Sequence, residues 1–317
     1  MANNINHIAP PKNEPTFEYR PGSDEKRRFK TELERLRDSH IEIPLVIGGK
    51  PVKTGNLGRC VIPHEHGHEL AVFHQAGEKE VAMAIDAATS AAAQWASLDW
   101  ADRLAIFTKA ADILAGPRRM TINAATMLGQ GKSVFQAEID SACELIDFLR
   151  FNAYYTTQIY QQQPDSGPAE WNQLEYRPLE GFVFAVTPFN FTAIGGNLPS
   201  APAMMGNTVL WKPASTAVYS AWMVMEIFME AGLPPGVINF IPGSGAQVGN
   251  PVLASPKLAG IHFTGSTPVF QGMWKTIAEN LASYRTYPRI VGETGGKDFV
   301  FVHASADPDA VVAGLIR

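Results

Sequence analysis

Apolar residues change their spacing near residue 181, and the change divides the chain into two kinds of structure. Between residues 79 and 160, apolar side chains recur every three or four positions, which predicts a nearly continuous series of amphipathic helices. From residue 182 onward, short apolar runs alternate with helix-like or loop stretches, a pattern typical of parallel βαβ units. The sequence therefore predicts an α/β fold in which an N-terminal helical and strand region precedes a Rossmann-type parallel sheet.

Local signals place the individual elements. Ser23 is a good N-cap followed by acidic residues, so residues 24–38 are predicted to form a surface helix. Glycine and proline punctuate residues 43–73, which we expect to form short strands. Residues 171–177 are predicted to be a strand that leaves the body of the domain. The remaining predicted strands cover residues 182–186, 208–211, 237–241, 261–263, 289–291 and 299–302, with helices over 216–231 and 266–281.

Composition narrows the class of protein. With 317 residues, 45% apolar and 18% charged, the chain has material for one large or two medium globular domains. Its net charge of −5 gives no reason to expect nucleic acid or an anionic membrane as a partner, and no apolar run reaches membrane-spanning length. Two cysteines cannot build a disulfide framework, and residues 1–15 show no presequence pattern. We expect a cytoplasmic protein, or a mitochondrial matrix protein if the source is eukaryotic.

Two polar residues follow predicted strands and suggest acyl chemistry. Asn190 lies where the strand 182–186 gives way to a helix, and its neutral NH2 group could stabilise an oxygen that becomes negative during reaction. Glu293 precedes two glycines and has apolar neighbours in sequence. Apolar surroundings would raise its pKa and make it a base for water. The alternative for Glu293 is a surface carboxylate before a Gly-Gly turn.

Two further segments suggest a dinucleotide site. Gly265 joins a strand directly to a helix N-terminus, where backbone N–H groups can approach a pyrophosphate. Lys212 ends a strand and could bind ribose or phosphate oxygens. The alternatives are a capped helix start without ligand and a solvated lysine. The glycines of residues 243–249 miss the Rossmann spacing by one position, so that segment is predicted to be a turn, and the spacing leaves open whether it lies near a cofactor.

In combination, these segments resemble the aldehyde dehydrogenase superfamily. Residues 123–130, 137–140, 144–152 and 188–197 are further similar to its subgroup of delta-1-pyrroline-5-carboxylate (glutamate-γ-semialdehyde) dehydrogenases, and the likeness runs from about residue 15 to the end. The resemblance implies NAD-dependent oxidation of L-glutamate γ-semialdehyde to L-glutamate in proline catabolism. It also implies a small-molecule aldehyde substrate and a cysteine thiohemiacetal and thioester in the full-length enzyme.

The resemblance assigns roles by position. Glu293 would be the general base and Asn190 the side-chain half of the oxyanion hole, while Glu144 would meet the substrate's α-amino group. The structural alternative for Glu144 is an exposed helix carboxylate. Ser215 replaces the acidic residue that favours NAD over NADP, so some use of NADP stays open. The residues implied to bind NAD are Thr187, Lys212, Gly265, Ser266, Thr267, Pro268 and Val269.

The same resemblance predicts the domain plan. We expect an extension and helix over 1–40, the N-terminal part of the cofactor domain with a bridging strand over 41–180, and the dinucleotide-binding domain over 181–292. Residues 293–317 would begin a catalytic domain that is mostly missing, so the chain is expected to be truncated before the nucleophilic cysteine and inactive as given. The full-length family forms homo-oligomers, which is doubtful for this chain.

Three features are given no catalytic role. The histidines of residues 64–68 do not have metal-site spacing, and no metal is predicted. Cys143 is expected to be a small core residue, and Cys60 matches no catalytic motif. Two other functions remain open: an inactive NAD-binding fragment, and an aldehyde dehydrogenase with another substrate.

Overall fold

A parallel-rich sheet of seven strands organises the second half of the protein, whose computed structural model describes residues 8–316. The described strands are β1 (Ile41–Ile43), β2 (Leu45–Ile47), β3 (Lys50–Val52), β4 (Leu57–Ile62), β5 (Glu65–His74), β6 (Phe182–Thr187), β7 (Thr208–Pro213), β8 (Ile238–Phe240), β9 (Leu258–Gly265) and β10 (Arg289–Thr294). The described α-helices are α1 (Asp24–Arg37), α2 (Glu78–Ser97), α3 (Trp100–Ala115), α4 (Arg119–Gln130), α5 (Val134–Ala137), α6 (Glu144–Gln161), α7 (Thr192–Met204), α8 (Val218–Ala231), α9 (Gly245–Leu253), α10 (Thr267–Glu279) and α11 (Pro308–Leu315). A π-helical turn (Glu138–Cys143) joins α5 to α6, and short 3-10 turns cover Ser215–Ala217 and Leu281–Ser283.

The order of strands in the large sheet is β10-β9-β6-β7-β8-β2-β3. All neighbours from β10 to β8 are parallel, and α7, α8, α9 and α10 supply the crossovers that parallel neighbours require. The predicted α/β fold with a Rossmann-type parallel sheet is therefore confirmed. Because the chain winds outward in both directions from β6, a ligand crevice is expected at the carboxyl ends of β6 and β9.

The first half of the chain contributes to the same sheet. Strand β2 pairs antiparallel with β8, with Val46 opposite Phe240, and β3 extends that edge. The remaining early strands form a separate sheet in the order β1-β5-β4. Helices α2, α9 and α10 share one buried apolar cluster, while α3, α4, α6, α7 and α8 share another. The buried positions along these helices follow the predicted spacing.

A buried ion pair fastens the N-terminal segment to the helices. Arg119 at the start of α4 pairs with Glu138 of the π-helical turn, and their side chains are 1% and 0% exposed. Arg119 also donates to the Pro15 carbonyl, and Glu138 accepts from the Phe17 N–H and the Tyr19 hydroxyl. Although burial alone would raise it, these hydrogen bonds and the Arg119 charge hold the pKa of Glu138 below its usual range.

Two predicted strands are wrong. Residues 171–177 are irregular, with Trp171 85% exposed, and side-chain bonds replace the strand ladder, since the Leu174 N–H donates to Gln163. Residues 299–302 also form no strand, and Phe299 and Phe301 are 86% and 85% exposed. Both segments have the right side chains for strands, yet neither has a neighbouring strand to pair with within the described residues.

Candidate functional site

Four parallel strands bring the predicted site residues to one edge of the sheet. Thr187 at the end of β6 lies opposite Pro213, which directly follows Lys212 on β7. Glu293 on β10 lies opposite Thr264 on β9. The carboxyl ends of these strands meet at the β6–β9 crevice, which is where ligands of doubly wound sheets bind.

A cavity of about 490 Å³ opens beside this edge, between β7, α9 and α10. Small-molecule and cofactor sites typically measure ~300–1,000 Å³. Lys212 and Val269 lie in the wall. The wall also contains Val186, Gly245, Gly249, Gly272 and Met273. A Cβ added at any of these three glycines would meet no atom within 4 Å, so the backbone leaves open space that a flat ligand can approach closely.

Lys212 is the charged group in this wall. Its residue is 8% exposed, so the alternative of a solvated strand-end lysine is wrong. Its ammonium donates to the Pro213 carbonyl at 3.1 Å, the one partner that the described residues provide, and burial lowers the pKa of Lys212. An ammonium has three donors. The two remaining N–H donors of Lys212 could bind ribose hydroxyls or phosphate oxygens, so the cavity fits a dinucleotide.

The segment from Gly265 to Val269 joins the end of β9 to the first turn of α10. Ser266 is the N-cap, and Pro268 lies in the first turn, where a missing N–H costs nothing. Val269 reaches the cavity wall, whereas Gly265, Ser266, Thr267 and Pro268 lie just before it in the chain. A Cβ on Gly265 would lie 2.8 Å from the Phe263 ring, so this glycine is required by packing within the chain. The expected approach of a pyrophosphate to Gly265 stays a prediction.

Thr187 is 3% exposed and does not line that cavity. Its hydroxyl accepts a hydrogen bond from the Trp211 indole at 3.1 Å, and its carbonyl accepts one from the Ala214 N–H. These bonds tie the ends of β6 and β7 together. The assigned cofactor contact of Thr187 stays a prediction.

Asn190 lies in the turn between β6 and α7 and is partly exposed. Among residues 8–316 the structure gives its side-chain amide no hydrogen-bond partner, so the NH2 group is free to donate to a ligand. Hydrogen bonds fix the residue that follows this turn to α4, because the Thr192 hydroxyl contacts Thr126 Oγ1 at 2.8 Å and accepts from Gln130 Nε2 at 2.9 Å. A donor on a fixed turn is the arrangement that oxyanion stabilisation requires.

Glu293 is exposed on the edge strand β10 and accepts a hydrogen bond from the Thr264 hydroxyl at 3.3 Å. The expectation that its apolar sequence neighbours enclose it is wrong, since Val291 is 60% exposed and Phe299 points into solvent. Within residues 8–316, strand β10 pairs with β9 alone, and this leaves its side chains uncovered. The assigned role of Glu293 as general base stays a prediction.

Glu144 opens α6 and is half-buried, which sets aside the alternative of an exposed helix carboxylate. Burial raises the pKa of Glu144, and the charges of Asp140, Glu293 and Asp147 add to that effect, while Lys132 opposes it. Glu293 therefore lies within electrostatic reach of Glu144, although 148 positions separate them in sequence. Gly245 and Gly249 of the wall belong to the segment 243–249, whose place near a cofactor the sequence left open, and that segment is more than a turn because α9 begins in it. Lys132 was not predicted from sequence, and its position between two helix caps is the local signal for it.

Neither cysteine can act as a ready nucleophile. Both are buried, as predicted for Cys143, and burial raises the pKa of Cys60 and of Cys143 to about 12 each. The Glu138 charge adds to the effect at Cys143. The thiolate is the reactive form, so both thiols are inert near neutral pH.

Comparison with known proteins gives a consistent result. The model of the aldehyde dehydrogenase family matches residues 53–317. The chain is 51% identical over 314 residues to the mitochondrial delta-1-pyrroline-5-carboxylate dehydrogenase of Dictyostelium discoideum, covering 98% of this chain and 56% of that protein. The human protein of the same name is 50% identical over 305 residues, covering 96% of this chain and 54% of its own length. The chain therefore spans about half the length of these curated relatives.

A solved structure shares the fold along the whole chain. The delta-pyrroline-5-carboxylate dehydrogenase of Mycobacterium tuberculosis, solved with bound NAD, superposes with a TM-score of 0.97 at 53% identity. The match covers 100% of this chain and 59% of that structure.

Proposed function

Because the chain belongs to the aldehyde dehydrogenase family, we propose that it is the cofactor-binding part of an NAD-dependent L-glutamate γ-semialdehyde dehydrogenase. The reaction would oxidise the open-chain aldehyde derived from 1-pyrroline-5-carboxylate to L-glutamate in proline catabolism. The observation that carries this proposal is the half-buried carboxylate of Glu144 within reach of Glu293 at the sheet edge. An amino-acid aldehyde carries an ammonium that such a carboxylate can pair with, and a simple alkyl aldehyde does not.

Each candidate site residue would have a separate role in the reaction. Lys212 and the glycine-lined wall would hold the dinucleotide, with Val269 and the α10 N-terminus beside it. NAD, when bound, accepts the hydride that leaves the aldehyde carbon. Asn190 would donate its side-chain N–H to the aldehyde oxygen as that oxygen becomes negative. Glu293 would take a proton from the water that cleaves the acyl-enzyme, with its carboxylate oriented by Thr264.

The nucleophile is not among the described side chains. The family chemistry needs a thiolate, and both cysteines are buried with raised pKa values. This observation favours a second candidate for the 317-residue chain, an NAD-binding protein without turnover. A third candidate, an aldehyde dehydrogenase with another substrate, would require Glu144 to have a purely structural role.

One experiment separates the three functions. NADH formation from 1-pyrroline-5-carboxylate is measured with the 317-residue chain and with a longer chain in which it is joined to the remaining part of the Mycobacterium tuberculosis relative. Activity in the longer chain alone, lost tenfold or more in its Glu144→Gln variant, supports the proposal. Activity with propanal but not with 1-pyrroline-5-carboxylate supports the third function. Calorimetry with NAD on the 317-residue chain tests the second.

The remaining assignments follow from the relatives. Several of them are named mitochondrial, and this supports the mitochondrial matrix as the location if the source is eukaryotic. Among the described residues, no helix is long and apolar enough to cross a membrane. The expected substrate is a small aldehyde, and a homo-oligomer is expected of a full-length enzyme.

A further inference from the structure

The two candidate polar groups of the substrate site come from separate parts of the chain. Asn190 lies on the turn before α7, and Glu144 begins α6. We propose that Lys132 is a positioning residue that clamps the Asn190 turn to the helix that presents Glu144, through one ion pair and one ring contact. The functional meaning of the clamp rests on the proposed function, whereas its existence does not.

The contacts of the Lys132 ammonium define the clamp. Its Nζ lies 2.6 Å from Asp140 Oδ2 and 4.1 Å from the centroid of the Phe191 ring. Phe191 directly follows Asn190, and Asp140 precedes Glu144 by four residues in the π-helical turn. The side chains of Lys132 and Asp140 are only 14% and 20% exposed, so water screens the pair less than at an open surface. A cation over an aromatic face adds a second attraction.

The backbone around Lys132 is fixed on both sides. Gly131 ends α4 in the left-handed conformation, with φ +66°, which favours glycine. Ser133 caps α5, where its hydroxyl accepts from the Gln136 N–H and its own N–H donates to the Gln136 side chain. Lys132 is thus the single residue between two helix caps. The backbone at Lys132 is therefore already ordered, so little conformational entropy is lost when its side chain contacts Asp140 and Phe191.

The clamp also affects the pKa of Glu144. The charges of Asp140, Asp147 and Glu293 raise the pKa of Glu144, and the charge of Lys132 lowers it. Asp147 is occupied by the N-terminal segment, because it accepts from Asn13 Nδ2 and from the Glu14 N–H. Lys132 pairs with Asp140 and so offsets part of the effect of that carboxylate on Glu144, which favours the ionised form of Glu144, the form that can bind a substrate ammonium.

Nuclear magnetic resonance on the 317-residue chain tests the clamp without substrate or turnover. In protein labelled with 13C at lysine Cε, the methylene protons of Lys132 are expected upfield of those of the other lysines, because Cε is bonded to Nζ, which lies 4.1 Å from the centroid of the Phe191 ring. The upfield shift should vanish in Phe191→Leu and weaken in Asp140→Asn. An ordinary shift for Lys132 in the unmodified chain, where no variant can have disturbed the fold, would overturn the proposal.

A titration tests the effect on Glu144. With 13C at glutamate Cδ and Glu144→Gln for assignment, the pKa of Glu144 is expected to rise in Lys132→Met and to return in Lys132→Arg, which keeps the charge. A matched control is Lys109→Met, a lysine of α3 outside these contacts. If the pKa of Glu144 is the same in Lys132→Met as in the unmodified chain, the clamp does not exist in the form proposed. A failed assay with 1-pyrroline-5-carboxylate would instead count against the proposed function alone.

Discussion

Replacing Lys212 by methionine should weaken NAD binding and stabilise the chain without ligand. Methionine keeps the length of the side chain and its apolar contacts, and it removes the ammonium. Hydrogen bonds to a charged group contribute roughly 1.5–3 kcal/mol, which corresponds to a ~10–150-fold weaker affinity for NAD. The buried ammonium has one protein acceptor, at 3.1 Å, so its removal should raise the free energy of unfolding.

The gain in stability expected of Lys212→Met should depend on pH. Burial lowers the pKa of Lys212 in the folded state, so the unfolded chain binds more protons between the folded and the ordinary lysine pKa. The destabilisation is full below the folded pKa and disappears as the pH rises toward the unfolded value. Lys212→Met should therefore exceed the unmodified chain in stability most clearly below the folded pKa of Lys212, and the difference should shrink as the pH rises toward the ordinary lysine pKa.

Isothermal calorimetry with NAD and urea denaturation at several pH values measure the two effects. Lys275→Met is the matched control, because that side chain lies on α10 and is 76% exposed. The control should change neither quantity by a measurable amount. Unchanged NAD affinity together with unchanged stability in Lys212→Met would refute the view that Lys212 is a buried, ligand-facing cation.

Two other substitutions and one labelling experiment test the remaining structure. Arg119→Met should lower the free energy of unfolding by about 3–5 kcal/mol, because it leaves Glu138 buried without its partner, and urea denaturation measures this loss. Glu144→Gln should raise stability at neutral pH, since burial raises the pKa of Glu144 in the folded state, and the gain should vanish in acid below the unfolded pKa. Cys60 and Cys143 should resist a thiol reagent in native buffer and react after unfolding, which a colorimetric assay detects.

Each of these three predictions has a control or a result that would contradict it. Arg118→Met removes partly exposed pairs with Glu226 and Glu230 and should change stability by under ~1 kcal/mol. An equal loss in Arg118→Met and Arg119→Met would mean that burial of the pair is irrelevant. A stability difference for Glu144→Gln that persists in strong acid would point to packing and not to charge. Rapid labelling of either thiol in the folded chain would contradict the burial of the cysteines.

The sequence by itself determined the local elements and the residue types of the site. Apolar residues on one face recur every three or four positions in a helix and every two positions in a strand, so this pattern can be recognised from the sequence alone. The helices of residues 79–160, the Ser23 cap and the strands that carry Thr187, Lys212 and Glu293 were all predictable on this basis. The resemblance added an identity for the chemistry that spacing alone does not provide.

Only the tertiary structure decided which segments pair and which side chains are covered. Residues 171–177 and 299–302 read as strands, yet no described strand lies beside them, and a strand needs a partner for its backbone hydrogen bonds. Glu293 reads as enclosed and is exposed, because β10 is the edge of the sheet. The sequence left open whether Lys212 is solvated, and the structure buries it in the wall of a cavity that α9 and α10 also line. Burial and charge are properties of the surroundings in space, and contacts such as those of Lys132 with Phe191 join positions that are distant in sequence.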